Sequence, residues 1–395
     1  MISRRIEDFI QTDLKKKMVF LSGPRQCGKT TLAKDLLKVF PSGQYYNWDI
    51  GRDRKLILKN EFNLDSQVWI LDEIHKFRKW RNFLKGLYDE HSENHSILVT
   101  GSARLNLYGR GGDSLQGRYF AHHLHPLTLS EVLKTKFSNL DSVIQFPHEV
   151  KIEAVETLEH LLIHGGFPEP FLEKSLSEVK RWQLLYSERL IEEELRSLEQ
   201  VREIEQIELL LDRLDDIAGS IISLNSLRED LDVSFDSVRK WLIIFEKIYA
   251  CFRISPFGPP RIKAVKKEQK LYLWDWARVK SDGARFENLI AVHLLRLIDY
   301  ARDVYGEKCE LRYFRHRDGS EVDFLLLRNH KPWMAIEVKL EEQELSRSLR
   351  YLAERVEIPH IFQIYLKGKH EKTLAKIGNT PIRSISAPRF LLQLP

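Results

Sequence analysis

Residues Gly23 to Thr30 read GPRQCGKT, set between the apolar run MVFLS and the helical pattern TLAKDLL. This loop constrains the fold more than any other feature of the chain. A backbone that leaves a strand, turns tightly on glycine and enters a helix at once is the first strand–loop–helix unit of a parallel α/β sheet. The spacing G-x-x-x-x-G-K-[ST] also has a chemical reading. The glycines of the loop Gly23, Pro24, Arg25, Gln26, Cys27 and Gly28 let its main-chain N–H groups, which Pro24 lacks, curl around phosphates, and Lys29 brings a point charge to them. Thr30 offers a hydroxyl to Mg²⁺, and Thr31 lies in the first helical turn, where the helix dipole favours anions. The expected cofactors are ATP and Mg²⁺, although the loop alone does not separate ATP from GTP.

A second motif stands downstream, where the apolar residues Val68 to Leu71 are followed by Asp72 and Glu73. A strand that aims two acids past its carboxyl end suits a Mg²⁺ partner, Asp72, and a water-activating base, Glu73. The strand SILVTGS ends in Thr100 and Ser102, whose hydroxyls either sense the γ-phosphate or cap a turn. Arg118, in SLQGRYF, has two readings. It neutralises charge in phosphoryl transfer, from its own or a neighbouring subunit, or it pairs with a surface acid. The glycine-rich GRGGDS at 109–114 is either a loop closing over nucleotide or a plain turn.

With 395 residues the chain is long enough for two or three cores. Hydrophobic residues at 43% and charged residues at 30% exclude a disordered tail, and a net charge of +5 permits a nucleic-acid partner without demanding one. Cys27, Cys251 and Cys309 are too dispersed for a zinc pattern or a disulfide framework, which points to a reducing, cytoplasmic setting. The sequence has no signal core and no apolar run long enough to span a bilayer, so no membrane partner is expected. The histidines lack metal-protease spacing, and no serine or cysteine triad is visible.

Alternating strands and helices predict an α/β domain with a parallel sheet over 1–145, followed by a helical connector over 146–208. Residues 209–279 read as helix, helix, turn, helix and strands, the layout of a winged helix. Its helix SFDSVRKWLIIFEKI presents Ser234, Asp236, Arg239 and Lys240, either to a DNA groove or to a neighbouring domain. The basic run Arg261 to Lys270 reads as the wing or as a solvated loop. The last domain, 280–395, mixes a helix with several strands. In it GSEVDFLLLRNHKPWMAIEVK reads as a hairpin, with Asp323 on one strand and Glu337 and Lys339 sharing a face of the other. Two carboxylates that meet there suit Mg²⁺ or Mn²⁺, with the lysine positioning water; the competing reading is an Asp323–Lys339 ion pair. Arg312, Arg315, His316 and Arg317, around Tyr313 and Phe314, either contact phosphates or form a solvated strand face.

LSGPRQCGKTTLA, VWILDEIHK and LVTGSARLNLYGRGGDSLQGR…HPLTLSEV resemble a prokaryotic family of AAA-type ATPases with a winged-helix and nuclease-like C-terminal region. The resemblance covers about Arg4 to Lys339 and includes Thr100 to Ser102, Leu115 to Arg118 and Pro126 to Glu131. It implies ATP binding. In the last domain, Glu287 in RFENLI, Asp323 and Glu337-x-Lys339 resemble the helix acid and D…ExK signature of PD-(D/E)xK phosphodiesterases. That implies Glu287, Asp323 and Glu337 as metal ligands on a restriction-endonuclease-like α/β fold. The resulting expectation is a Mg²⁺-dependent ATPase whose nucleotide state controls a DNA-engaging, nuclease-like domain. The alternative is a nucleotide-dependent switch whose last domain only binds DNA, a second copy or another protein.

Overall fold

The computed structural model describes residues 2–101, 115–146, 149–195, 203–258, 268–316, 319–368 and 371–395. The chain divides into two compact units, Met1–Pro126 with Lys247–Tyr249, and Leu127–Glu246 with Ala250–Pro395.

The first unit is a five-stranded sheet of β1 (Met18–Ser22), β2 (Gly43–Asn47), β3 (Val68–Asp72), β4 (Ser96–Thr100) and β5 (Tyr119–His123), ordered β2-β3-β4-β1-β5. Every pairing is parallel, as the alternating pattern predicts. Strands β1 and β3 are buried at all five positions, which is why their sequences run apolar without alternation: helices cover both faces of such a sheet. Helices α1 (Glu7–Leu14), α2 (Lys29–Leu37), α3 (Gly51–Lys59) and α4 (Trp80–His91) provide that cover. Phe20, Trp69, Leu71, Leu84 and Val99 share one core cluster. Each such side chain contributes about 1.5–3 kcal/mol by leaving water. Because all strands run the same way, their carboxyl ends share one edge. Leu21 and Asp72 both stand level with Thr100, so the glycine loop, the acidic pair and the end of β4 emerge side by side.

In the second unit, helices Ile152–His164, Pro168–Leu172 and Leu176–Arg189 occupy the stretch read as a helical connector, and Ile204–Ile217, Leu224–Asp230 and Phe235–Lys247 follow. The sheet holds eight strands, β6 (Cys251–Pro256), β7 (Lys270–Leu273), β8 (Cys309–Arg315), β9 (Glu321–Arg328), β10 (Lys331–Glu341), β11 (His360–Lys367), β12 (Lys372–Ile377) and β13 (Thr380–Ser386). Their order is β12-β13-β11-β10-β9-β8-β6-β7, with parallel and antiparallel pairings mixed. Strands β6 and β7 join the same sheet as the later ones, through Ser255 opposite Arg312. Strand β7 is buried at all four positions. Lys270, read from its basic neighbours as wing or solvated loop, is in fact 1% exposed; residues 261–267 lie outside the described residues. The long helix Asp282–Tyr305 is latched to β7 by Asn288, whose side chain accepts from Leu273 N at 2.8 Å and donates to Leu273 O at 2.7 Å. That latch brings the neighbouring residue, Glu287, against Lys270 and Tyr272.

Candidate functional site

The nucleotide loop is built by conformation before it is built by chemistry. Gly28 caps α2 in the left-handed region at φ 101°, and Gly23 sits at φ 151° close to Leu124, the residue that follows β5. A Cβ on Gly23 would lie 2.2 Å from Leu124 O. Cys27 is fully buried, and Arg4 holds the loop from below, donating from Nη1 to Cys27 O at 2.8 Å and from Nη2 to His125 O. Lys29 folds over the loop and donates to Gly23 O at 2.9 Å and Pro24 O at 2.6 Å. Arg25 and Gln26 are half-buried, while Thr30 and Thr31 are exposed.

Asp72 is the hub. Its Oδ2 accepts from Thr30 Oγ1 at 3.0 Å and from the Tyr45 hydroxyl, and its Oδ1 accepts from Thr100 Oγ1. Thr30, Asp72 and Thr100 therefore meet at one point, as the motif spacing requires. Tyr45 was not anticipated from sequence; burial, then its bond to Asp72, raises its pKa. Glu73 follows in the left-handed region at φ 59°, with its N–H bonded to Thr100 O at 3.0 Å. Its carboxylate stands 3.1 Å from Lys76, and Lys76 also pairs with Asp49 at 2.6 Å. Burial raises the Glu73 pKa, Lys76 opposes that, and the net direction is upward, toward the range in which a carboxylate accepts a proton from water. Ser102 and the 109–114 loop lie outside the described residues.

Arg118 is placed elsewhere. Its carbonyl accepts from Met18 N, at the amino end of β1, whereas the glycine loop leaves the carboxyl end. The intervening strand spans about 13 Å. Arg118 forms a two-toothed pair with Asp89, at 2.7 and 3.0 Å. Of its two readings, the structure shows the pair with a surface acid: β5 runs parallel beside β1, so the start of β5 lies at the edge of the sheet away from the loop.

The acids of the last domain gather in one neighbourhood but differ from the expected metal centre. Asp323 sits where β9 carries an extra residue: Arg312 pairs with Leu325 and Phe314 with Val322, so two steps on β8 match three on β9. Its Oδ2 accepts from Val338 N at 2.8 Å, and its Oδ1 lies 3.7 Å from the ammonium of Lys270. The same ammonium is 3.0 Å from Glu287 and 2.9 Å from Glu321. The Tyr272 hydroxyl donates to Glu287 at 2.7 Å. Glu337 pairs with Lys339 at 2.7 Å and accepts from Ser346 Oγ, and the competing Asp323–Lys339 pair is not formed among the described residues. Burial, then Glu287, pushes the Asp323 carboxyl up to about 8. Among the described residues no three Asp, Glu, His or Cys side chains are disposed to hold a metal ion. Glu287 and Asp323 thus share the Lys270 ammonium while Glu337 is engaged by Lys339 and Ser346, and a lysine read as wing or solvated loop stands among the acids. The signal was available in the alternation of Lys270 with Tyr272 and of Glu321 with Asp323.

The basic strand is also largely self-neutralised. Arg312 pairs with Glu310, Arg315 lies 3.5 Å from Glu321, and the His316 ring packs on Tyr351; Arg317 lies outside the described residues. On helix Phe235–Lys247, Asp236, Arg239 and Lys240 are exposed together with the capping Ser234, while Val238, Trp241, Leu242 and Phe245 are buried.

Comparison with known proteins gives three family matches: an AAA domain over residues 15–133, and two domains of unknown function over 155–279 and 282–384. An uncharacterized protein of Mycobacterium tuberculosis is 22% identical over 376 residues, covering 91% of this chain and 78% of the relative. One from Haemophilus influenzae is 23% identical, covering 82% and 84%. Among solved structures, the Walker-type ATPase PABY2304 of Pyrococcus abyssi aligns with a TM-score of 0.45 and 16% identity, over 72% of this chain and 96% of that one. The Orc1 protein of Aeropyrum pernix, in complex with DNA, aligns with a TM-score of 0.34 and 13% identity, over 74% and 92%. No described helix is long and apolar enough to cross a membrane. The parallel sheet, the loop and acid geometry at its carboxyl edge, and the match over 15–133 agree, and the chain carries an AAA-type P-loop ATPase domain.

Proposed function

We propose that the chain binds and hydrolyses Mg·ATP in its first unit and that nucleotide state controls how its second unit engages a partner. The observation that carries this reading is the meeting of Thr30 and Asp72 at 3.0 Å, beside a loop capped by Lys29. Lys29 exchanges its loop carbonyls for the β and γ phosphates, and the main-chain N–H groups from Arg25 to Thr31 cradle them. Thr30 and Asp72 fit Mg²⁺, since a hydroxyl and a carboxylate oxygen already in contact need little rearrangement to share a cation. When bound, that ion neutralises charge on the phosphates. Glu73 would orient and deprotonate the attacking water once its contact with Lys76 loosens, and Thr100, whose hydroxyl donates to Asp72, would sense the γ-phosphate. Arg118 either stays paired with the surface acid Asp89 or serves the nucleotide of a second copy in trans.

For the second unit, the reading as a binding module without cleavage is favoured over a nuclease, because its acids are engaged by Lys270 and Lys339. DNA is the proposed partner of residues 209–395. The support is the exposed start of helix Phe235–Lys247, with Ser234, Arg239 and Lys240 facing water. The test is fluorescence anisotropy with labelled duplex DNA, with and without Mg·ATP, alongside plasmid cleavage in Mn²⁺. Nucleotide-dependent affinity without cleavage is expected. Equal affinity in both states contradicts the switch, and cleavage lost in Asp323→Ala restores the nuclease reading.

A further inference from the structure

We propose that the Lys270 ammonium is the resident cation of the C-terminal acidic cluster, filling the place among Glu287, Glu321 and Asp323 that a divalent metal would need. The inference rests on the reading of the second unit as a module that binds without cleaving, and it names what closes the site. Lys270 Nζ is 2.9 Å from Glu321, 3.0 Å from Glu287 and 3.7 Å from Asp323, on a side chain 1% exposed. An ammonium has three N–H donors, and three carboxyl groups surround it. Two further donors serve the cluster: the Tyr272 hydroxyl donates to the same Glu287 oxygen that Lys270 reaches, and the Val338 amide donates to Asp323 Oδ2.

The lysine cannot readily leave. Its main chain is laddered to Ile254 and bridged to Ile221, and its ammonium lies 5.8 Å from the Tyr313 ring centre. A divalent ion binds carboxylate oxygens at about 2.0–2.6 Å, so it and the ammonium compete for the same oxygens while repelling each other. Glu337 does not complete an alternative set, since Lys339 and Ser346 engage both its oxygens. The cluster is thereby an internally compensated structural centre, linking helix Asp282–Tyr305 to β7 and β9.

The test uses the full chain without nucleotide, with Mn²⁺ alone as the probe, followed by electron paramagnetic resonance and by thermal melts. Wild-type and Asp323→Asn proteins are expected to take up Mn²⁺ identically. Lys270→Met is expected to melt several degrees lower, because it leaves three partly buried carboxyl groups without their cation, and Mn²⁺ is expected to restore part of that loss by entering the vacated place. A wild-type Mn²⁺ site weakened tenfold or more by Asp323→Asn overturns the proposal, and this comparison needs no variant at 270. A folded Lys270→Met protein whose melting is unchanged, or is not raised by Mn²⁺, overturns it as well. ATP hydrolysis measured on the same samples reports the first unit separately, so failure here is distinguishable from failure of the ATPase reading.

Discussion

Replacing Gly23 by alanine adds a Cβ where the backbone leaves no room. The new atom would stand 2.2 Å from Leu124 O and 3.1 Å from Leu124 C, against 3.4 Å where ordinary contact begins. Relief requires a displacement of about 1.2 Å. Leu124 is poorly placed to give way, because its N–H is bonded to Ser22 O at 2.8 Å in continuation of the sheet. The loop must therefore move, and a non-glycine residue at φ 151° adds backbone strain of about 1–3 kcal/mol. The amides after Gly23 are the groups that hold the phosphates, so strain of that size, relieved only by misplacing them, corresponds to roughly 10- to 100-fold in affinity at about 1.4 kcal/mol per tenfold. Calorimetric titration of Gly23→Ala with Mg·ATP should show affinity reduced roughly 10- to 100-fold, with circular dichroism like the wild type and melting lowered by several degrees. A folded Gly23→Ala protein that binds Mg·ATP with wild-type affinity refutes the steric argument.

Glu73→Gln should lower steady-state phosphate release by about 10²–10⁴, the usual worth of a general base, while ATP is still bound; undiminished release removes Glu73 from that role. Arg4→Met withdraws a buried guanidinium from Cys27 O and His125 O. A buried carbonyl left without its donor costs about 1–3 kcal/mol, so melting temperature and ATP affinity should both fall, and no change in either contradicts the buttress. Burial raises Asp275 from an ordinary 3.8 to about 6, with Arg278 opposing. The folded chain then holds more protons than the unfolded chain between those values, so this residue's contribution to stability declines as pH rises from about 4 to 6 and is level above. Asp275→Asn should remove that decline in melts recorded across the window; an unchanged pH profile counts against it.

The first unit was legible because its signals are local. Strand, loop and helix follow one another around Gly23–Thr30, and the apolar run ending in Asp72 needs only a parallel neighbour to reach Thr30. Strand order was not legible. Nothing in SLQGRYF says that Tyr119 pairs with Met18, and that pairing alone carries Arg118 to the far end of the sheet. Tyr45 and Arg4 were missed for the same reason: their partners lie 27 and 23 residues away. In the second unit local composition misled. Lys270 closes a basic run that reads as solvated, yet it belongs to β7, where K-x-Y alternation aims it at acids on another strand and a helix. The bulge at Asp323 is set by pairing with β8, which no hairpin pattern reveals. Arg312 and Arg315 looked available for phosphate because Glu310 and Glu321 become their partners only in the folded ladder.

The central claim is that main-chain amides and Lys29 of the first unit grip the phosphates of Mg·ATP. Titration calorimetry on the wild-type chain and on Lys29→Ala tests it directly. A unit charge about 4 Å from a phosphate charge in a partly buried site is worth up to about 4 kcal/mol, so a single saturable site that weakens about 100-fold or more in the variant is the expected result. No binding heat in the wild type, or the same dissociation constant in both proteins, contradicts the account.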